Sequence, residues 1–187
     1  MKTICNATIS LMPEIIVIAH NIRSTHNIGS IFRTCEGFGV SKIIISGYSP
    51  YPKVENDTRL PHIAEKLTAQ IHKTALGAEI MVPFEHFDTL DLAYFKMNGF
   101  TVVGLEQDEH SVMLNQYEAP EKIALLLGEE VHGIPTELIS QCDDLVEIPM
   151  QGKKESFNVS VATGIALYAL ATWTLHNPHL VFFAIFQ

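Results

Sequence analysis

The chain has few cysteines and few basic residues. Its 187 residues include three cysteines, one tryptophan, and 12 Lys or Arg against 21 Asp or Glu. Cys5, Cys35 and Cys142 lie far apart, unlike the close spacing of a zinc site or the dense set of a disulfide scaffold. We therefore expect free thiols, a cytoplasmic location and no bound metal.

Long apolar runs are also missing. The most apolar region is interrupted by Asn177, Pro178 and His179, and no run reaches the roughly 20 residues that a membrane-spanning helix requires. The first residues do not resemble a signal peptide. With 47% apolar and 18% charged residues, the chain is typical of one globular domain over residues 1–187. Residues 177–187 form an apolar tail, expected to pack on the domain or on a second subunit.

Several common active-site motifs are absent too. Gly152-Lys153 resembles the end of a P-loop, but the position that needs the upstream glycine is Glu147. No G-x-G-x-x-G, G-x-S-x-G or H-E-x-x-H sequence occurs. These absences count against a dinucleotide-binding site, a serine hydrolase and a zinc protease.

The net charge of −9 is unevenly distributed along the chain. Residues 1–73 hold eight Lys or Arg and five Asp or Glu, whereas residues 74–152 hold two Lys or Arg and fifteen Asp or Glu. A locally basic surface can bind a polyanion although the total charge is negative. A nucleic-acid partner therefore stays open, beside the alternative of an arbitrary surface distribution.

Apolar patterns predict alternating strands and helices. The expected strands are Glu14–His20, Lys42–Ser46, 80–84, 100–105, 123–127 and 145–148, and the expected helices are 27–38, 63–76, 90–97, 135–141 and 158–176. Asn27 is the expected N-cap of the first helix. Continuous apolar strands that alternate with helices predict an α/β domain with a parallel sheet covered on both faces. Residues 47–61, with three prolines, are expected to form a functional or mobile loop.

Polar residues and glycines collect in three segments that follow predicted strands, at residues 21–34, 127–135 and 148–162. Ligand sites of α/β proteins lie at such strand ends, so the three segments predict one composite site. In the first, Arg33 would project from the side of its helix, where a guanidinium can form paired hydrogen bonds to a phosphate. A surface salt bridge to Glu36 is the alternative.

The other two segments also allow two interpretations each. Glu129 and Glu130 can orient side chains or offset a cationic ligand, or Glu130 can favour a helix N-terminus. Ser156 or Asn158 can cap the last helix. Apolar side chains of the third segment offer walls for a flat ring; they are Ile148, Met150 and Phe157. His26 and His132 are expected to pack or to hydrogen-bond rather than to catalyse.

In order and spacing, the three segments resemble the motifs of the TrmH/SpoU family of RNA ribose 2′-O-methyltransferases, in the SPOUT superfamily. The matching sequences are Asn27-x-Gly29-x3-Arg33-Thr34, Leu-Gly128-Glu-Glu-x-x-Gly-Ile-Pro and Ile148-Pro-Met-x-Gly-x3-Ser156-Phe-Asn-Val-Ser-Val-Ala. The resemblance covers nearly the whole chain, from about residue 14 to residue 176.

The resemblance implies S-adenosylmethionine as cofactor, transfer or ribosomal RNA as substrate, and a homodimer. It also implies a deep C-terminal trefoil knot in the α/β sheet, a rare exception among otherwise unknotted folds. The implied cofactor-binding residues are Leu105, Glu106, Gly128, Ile148, Met150 and Phe157. The implied catalytic residues are Arg33, Asn27, Glu130, Ser156 and Asn158. As RNA-binding candidates we add five basic residues, Arg23, Lys53, Arg59, Lys153 and Lys154.

In the implied reaction a ribose 2′-oxygen attacks the methyl group of a sulfonium. Because arginine stays protonated in proteins, we expect Arg33 to bind the adjacent phosphate and to stabilise the developing alkoxide rather than to act as the base. Arg33 would work beside the cofactor of its own subunit or of the partner. Two other functions remain open: a catalytically silent RNA-binding module on the same scaffold, and a methyltransferase that acts on a base.

Overall fold

A seven-stranded parallel sheet forms the centre of the molecule. The structure, a computed structural model, describes residues 12–176, with side chains described as far as Thr172. The strand order is β3-β2-β1-β6-β4-β7-β5, and each neighbouring pair is parallel. The strands are β1 Glu14–His20, β2 Lys42–Ser46, β3 Phe84–Phe87, β4 Thr101–Leu105, β5 Val112–Met113, β6 Lys122–Leu127 and β7 Asp144–Glu147.

Helices cover both faces of this sheet, which explains why the central strands are continuously apolar. The helices are α1 Thr25–Gly37, α2 Pro61–Ala75, α3 Ala78–Met81, α4 Leu92–Met97, α5 Thr136–Ile139 and α6 Val159–His176. Phe32 of α1 and Leu167 of α6 pack with Val17 on one face. Phe95 of α4 packs with Ile18 on the other face. The predicted parallel α/β architecture is therefore confirmed, while the knot stays a prediction.

Two local predictions were wrong, and one short strand was missed. The apolar segment 80–84 is not a strand: α3 ends at Met81, and β3 begins at Phe84. The two-residue strand β5 was not predicted. Helix α1 begins before Asn27, because Ser24 is its N-cap and accepts a hydrogen bond from the Asn27 backbone N–H at 3.2 Å. The apolar tail at residues 177–187 and Cys5 lie outside the described residues.

Close packing of α1 on α2 fixes the first motif segment. A Cβ atom added to Gly29 would lie 2.3 Å from the Ile71 carbonyl oxygen of α2, so the two helices can meet here only through a glycine. The Thr74 hydroxyl of α2 donates to the His26 carbonyl at 2.9 Å. These contacts hold the N-terminus of α1 beside the carboxyl ends of β1 and β6. No helix of residues 12–176 is both long enough and apolar enough to cross a lipid bilayer.

Candidate active site

A cavity of about 540 Å³ opens at the carboxyl ends of the neighbouring strands β6, β4 and β7. Its walls come from these strand ends, from the loops that follow them and from the start of α6. The apolar part of the wall consists of seven side chains, Leu105, Leu127, Val131, Ile148, Phe157, Val159 and Ala162. The volume lies within the range of about 300–1,000 Å³ that is typical of small-molecule sites.

Five of the six residues predicted to contact a cofactor line this cavity, namely Leu105, Glu106, Gly128, Ile148 and Phe157. Met150 is not among the lining residues, although it follows Ile148 by two positions. The strand ends therefore bring together most of the predicted set, which is scattered over about 50 residues of sequence.

Residues from the three motif segments form one hydrogen-bonded chain at the cavity. The Asn27 side-chain amide donates to Glu130 Oε1 at 2.8 Å, and the Asn158 amide donates to Asn27 Oδ1 at 3.2 Å. Asn158 Oδ1 in turn accepts from the backbone N–H and the hydroxyl of Ser160, at 3.0 and 2.7 Å. Asn158 thus caps α6 and also fixes the orientation of Asn27.

Glu130 holds the N-terminus of α1. Its carboxylate accepts the backbone N–H groups of Arg23 at 3.1 Å and Ser24 at 3.3 Å, besides the Asn27 amide. Partial burial raises the pKa of this carboxyl, but the hydrogen bonds outweigh it and the pKa is lowered. A negative charge is favoured where helix N–H groups lack partners. The expected role of Glu130 at a helix N-terminus is therefore correct in kind, but the helix is α1, not the one that follows Glu130 in sequence.

Ser156 and Arg33 differ in where they lie. Ser156 lines the cavity, beside the chain formed by Asn27 and Asn158. Arg33 is exposed on the side of α1 and does not line the cavity of its own chain. Among the described residues it forms no ion pair with Glu36, which removes the alternative of a salt bridge.

A tight turn after β6 requires the glycine at position 128. Backbone hydrogen bonds of 3.1 Å join Glu129 and Gly133 in both directions. A Cβ atom at Gly128 would lie 2.2 Å from the Gly133 carbonyl carbon and 2.3 Å from the Ile134 nitrogen. The Glu106 carboxylate also binds this turn, accepting the Ile134 N–H at 2.8 Å. The glycine thus gives room to the chain's own backbone in the first place.

The cavity is strongly acidic. Its charged wall residues are five glutamates, Glu106, Glu129, Glu130, Glu147 and Glu155, and no Lys or Arg of residues 12–172 lines it. Such a wall favours a ligand that carries positive charge. Within residues 12–176, no group of His, Cys, Asp or Glu side chains has the arrangement of a metal site.

A second cluster lies beside the cavity, at the carboxyl ends of β2, β1 and β6. Glu129 Oε2 accepts the Tyr48 hydroxyl and pairs with the Arg23 guanidinium at 3.3 Å. Its Oε1 is buried without a hydrogen-bond partner among the described residues, and His132 Nε2 lies 3.6 Å away. The Tyr48 hydroxyl is the main cause that lowers the pKa of Glu129. Sequence reasoning missed Tyr48, although it follows directly after a strand and Gly47.

The contacts of Arg59 speak against its predicted role in RNA binding. Its Nε donates to Asp57 at 2.8 Å, and its terminal nitrogens donate to the carbonyls of Tyr51 at 3.0 Å and Pro52 at 3.2 Å. The guanidinium also lies 3.5 Å from the centre of the Tyr51 ring. These contacts occupy Arg59 in holding the loop after β2 in shape, so it is not available to a phosphate.

The remaining basic candidates divide into two groups. Lys53 pairs with Glu65 at 3.2 Å, which weakens its attraction for a polyanion. Lys153 and Lys154 are exposed on the loop before Ser156. Neither forms a hydrogen bond or an ion pair with another described residue. Of the five predicted basic residues, Lys153 and Lys154 thus precede the wall residue Glu155 in sequence, and Arg23 contacts the wall residue Glu129.

Comparisons with known proteins agree with this geometry. A profile of the SpoU rRNA Methylase family matches residues 14–168. The tRNA (guanosine(18)-2'-O)-methyltransferase of Aquifex aeolicus is 32% identical over 155 residues, which cover 83% of this chain and 67% of that protein. The tRNA (guanosine(18)-2'-O)-methyltransferase TARBP1 of Mus musculus is 34% identical over 159 residues, which cover 83% of this chain but 9% of that protein.

A solved structure gives the same result. The AdoMet-bound rRNA methyltransferase from Sinorhizobium meliloti matches with a TM-score of 0.71 and 26% identity, over 88% of this chain and 57% of that one. The chain thus spans from about a tenth to two thirds of the length of these proteins. The resemblance drawn from the three motif segments is confirmed, and the chain belongs to the SpoU rRNA Methylase family.

Proposed function

We propose that this protein transfers the methyl group of S-adenosylmethionine to a ribose 2′-oxygen in transfer or ribosomal RNA. One observation carries the proposal: Glu130, Asn27 and Asn158, one from each motif segment, form a continuous hydrogen-bonded chain at the cavity. Relatives named as guanosine 2'-O-methyltransferases of tRNA support a guanosine as the target nucleotide.

The cavity suits the cofactor in volume and in charge. Leu105, Ile148 and Phe157 supply apolar walls for a flat ring, and the turn at Gly128 offers backbone groups to the edge of that ring. The five glutamates complement a cation. When bound there, S-adenosylmethionine would supply a methyl group attached to a sulfonium sulfur, and this sulfur leaves as a neutral thioether. Met150 remains a predicted contact outside the cavity wall.

The residues of the chain then have to align the ribose and manage its proton. Glu130 holds residues 23–27 through its bonds to Arg23, Ser24 and Asn27, and Asn158 fixes the amide of Asn27. Ser156 forms no hydrogen bond with a described residue and lies on the cavity wall, so its hydroxyl is suited to the incoming 2′-hydroxyl. These side chains are proposed to set the geometry of the attack.

Arg33 is proposed to act at the cavity of the partner subunit in a homodimer. It lies outside the cavity wall of its own chain, which favours the partner among the two alternatives that the sequence left open. A guanidinium beside the reacting oxygen would bind the adjacent phosphate and stabilise the developing alkoxide. Val161 and Tyr168 of α6 are exposed and offer apolar surface to such an interface.

A mixing experiment separates the two positions of Arg33. Arg33→Ala protein is combined with Phe157→Arg protein, whose new positive charge in the cavity wall repels the cofactor. If Arg33 acts on the partner's cavity, the mixed dimer regains one working site and methyl transfer returns. If Arg33 acts within its own chain, each single variant and the mixture stay inactive.

The function itself is tested with S-adenosylmethionine labelled in its methyl group and unmodified transfer and ribosomal RNA. After alkaline hydrolysis, label in dinucleotides that resist cleavage is expected, because a methylated 2′-oxygen cannot assist hydrolysis of the next phosphate. Label in mononucleotides would point to methylation of a base. Cofactor binding without any transfer to RNA would contradict the proposed activity, and absence of cofactor binding would favour the silent RNA-binding module.

Few basic side chains are available to bind the phosphates of the RNA. The candidates are Lys153 and Lys154, together with Arg33 and with Arg23, whose side chain stays 58% exposed beside Glu129. Lys53 and Arg59 are paired with Glu65 and Asp57. Each phosphate neutralised contributes about −0.7 to −0.9 to the slope of log affinity against log salt. A slope of roughly −3 to −4 is therefore expected from these four residues.

A further inference from the structure

Tyr48 and Arg23 form an exposed pair beside the cavity whose arrangement suits a nucleotide. Tyr48 is 55% exposed as a residue, and the Arg23 side chain is 58% exposed. Tyr48 begins the loop after β2, and Arg23 lies in the segment between β1 and α1. Both side chains are therefore presented at the carboxyl edge of the sheet, where the cavity also opens.

The pair is fixed rather than free. Glu129, whose side chain is 9% exposed, accepts the Tyr48 hydroxyl and binds the Arg23 guanidinium. Both contacts are made to the same oxygen, Glu129 Oε2, so the phenol hydroxyl and the guanidinium lie close together. The hydroxyl is the main cause that raises the pKa of Arg23. Because Glu129 is part of the cavity wall, the two exposed side chains are anchored to the proposed cofactor site. A ring held in this way loses little conformational freedom when it binds a partner.

Hydrogen bonds and ring contacts also hold the loop behind Tyr48. The Tyr48 backbone N–H donates to Asn21 Oδ1 at 3.2 Å. Further along the loop, the Tyr51 ring stacks on His86 with ring centres 3.9 Å apart, and Arg59 covers its other side. These aromatic and cationic side chains satisfy one another, whereas the Tyr48 ring faces solvent. An exposed, preorganised aromatic ring next to a guanidinium is the combination that proteins use to stack a base and to hold a phosphate.

We propose that Tyr48 and Arg23 bind a nucleotide of the substrate RNA at the rim of the cavity, with the base stacked on Tyr48 and a phosphate on Arg23. This inference rests on the proposed function and adds a base-stacking residue, Tyr48, to the RNA contact already proposed for Arg23. This surface adjoins the hydrogen-bonded chain of Glu130, Asn27 and Asn158. The Arg23 backbone N–H and the Asn27 side chain both bind the Glu130 carboxylate. Glu129 is then a positioning residue, which acts through Tyr48 and Arg23.

The test compares Tyr48→Ala and Tyr48→Phe, with Tyr94→Ala as matched control. Tyr94 is 56% exposed, like Tyr48, but lies on α4 and contacts Phe95 edge-on, away from the cavity wall. Affinity is measured for a fluorescein-labelled pool of unmodified transfer RNA transcripts, and cofactor affinity is measured by titration calorimetry. Tyr48→Ala should weaken RNA binding roughly 5- to 150-fold, the range for loss of one stacked base. Tyr48→Phe, which keeps the ring, should lose less than about 5-fold.

Cofactor affinity should stay within about twofold of the wild type in Tyr48→Ala, Tyr48→Phe and Tyr94→Ala, since neither tyrosine lines the cavity. Arg23→Gln should reduce the slope of log affinity against log salt by about 0.7–0.9, the contribution of one phosphate. RNA affinity unchanged in Tyr48→Ala, or lowered equally in Tyr48→Phe or Tyr94→Ala, would overturn the stacking surface. An unchanged salt slope in Arg23→Gln would overturn the phosphate contact.

Failure of the proposed function has a different signature. Wild-type protein that binds RNA but transfers no methyl group contradicts the methyltransferase activity. The effect of Tyr48→Ala on RNA affinity decides the binding surface in either case.

Discussion

The turn after β6 predicts that Gly128→Ala destabilises the whole domain. The added Cβ atom would lie 2.2 Å from a backbone carbon of Gly133, where ordinary contacts begin at 3.4 Å. The turn would have to retreat by about 1.2 Å, the difference between these distances. That movement breaks or strains the paired hydrogen bonds between Glu129 and Gly133 and the bond from Ile134 to Glu106, all between 2.8 and 3.1 Å.

The size of the effect follows from these contacts. Overpacking in a tight site costs about 1–3 kcal/mol, and each lost hydrogen bond adds about 0.5–1.5 kcal/mol. Together we expect the free energy of unfolding to fall by roughly 2–5 kcal/mol. For a domain of this size, the midpoint of thermal unfolding should then fall by roughly 5–15 °C.

A matched control is available at Gly152, in the loop after β7. A Cβ atom at Gly152 would meet nothing within 4 Å, and its φ is not positive. Gly152→Ala should therefore change stability by less than about 1 kcal/mol, with a small gain as the expected sign. Thermal unfolding followed by circular dichroism measures both variants. A Gly128→Ala protein that melts within about 2 °C of the wild type would refute the steric reasoning. Normal stability with lost cofactor binding would support instead a ligand that approaches Gly128.

Three further predictions concern charges at the site. Glu130→Gln should lower the melting temperature at neutral pH. Because hydrogen bonds hold the folded pKa of Glu130 below its usual value, this contribution is complete above the unfolded pKa, near 4.3, and is lost as pH falls further. The difference in melting temperature between wild type and variant should thus stay constant from pH 8 to 6 and shrink below about pH 4. Arg33→Ala should reduce methyl transfer by at least about 100-fold while thermal stability stays unchanged, since Arg33 is exposed; near-normal turnover in a folded dimer would contradict its role. Glu147→Gln should lower the preference for S-adenosylmethionine over S-adenosylhomocysteine, whose thioether sulfur is uncharged, by about two- to fivefold in calorimetry. Glu137→Gln, outside the cavity wall, should leave this preference unchanged. An equal ratio of affinities in all three proteins would exclude selection by charge.

The sheet was predictable from the sequence because its strands carry their own signal. Strands such as β1 and β6 are apolar at every position that both helical layers cover, and the polar turns between elements mark their ends. The failure at residues 80–84 has a physical cause. Helix α3 spans only four residues, too few for helical spacing to appear, and Ile80 and Met81 are exposed there.

The candidate site was predictable in its members but not in its connections. Asn27 fits the pattern of a helix cap, yet its side chain bonds to Glu130, 103 positions away. Ser24 takes over the cap. Arg59 is of a residue type common in RNA contacts, but its guanidinium is hydrogen-bonded to Asp57 and to loop carbonyls. The proposed role of Tyr48 depends on its hydrogen bond to Glu129, which lies 81 positions further along the chain. Such long-range bonds have no periodic signal in a single sequence.

The most direct test of the central proposal identifies which atom of the RNA receives the methyl group. Unmodified transfer and ribosomal RNA are incubated with the protein and S-adenosylmethionine carrying a deuterated methyl group, digested to nucleosides and fragmented in a mass spectrometer. We expect the label on the ribose fragment of a guanosine, with an unlabelled base. Label on the base fragment, or no label in RNA when the protein binds the cofactor, would contradict ribose 2′-O-methylation.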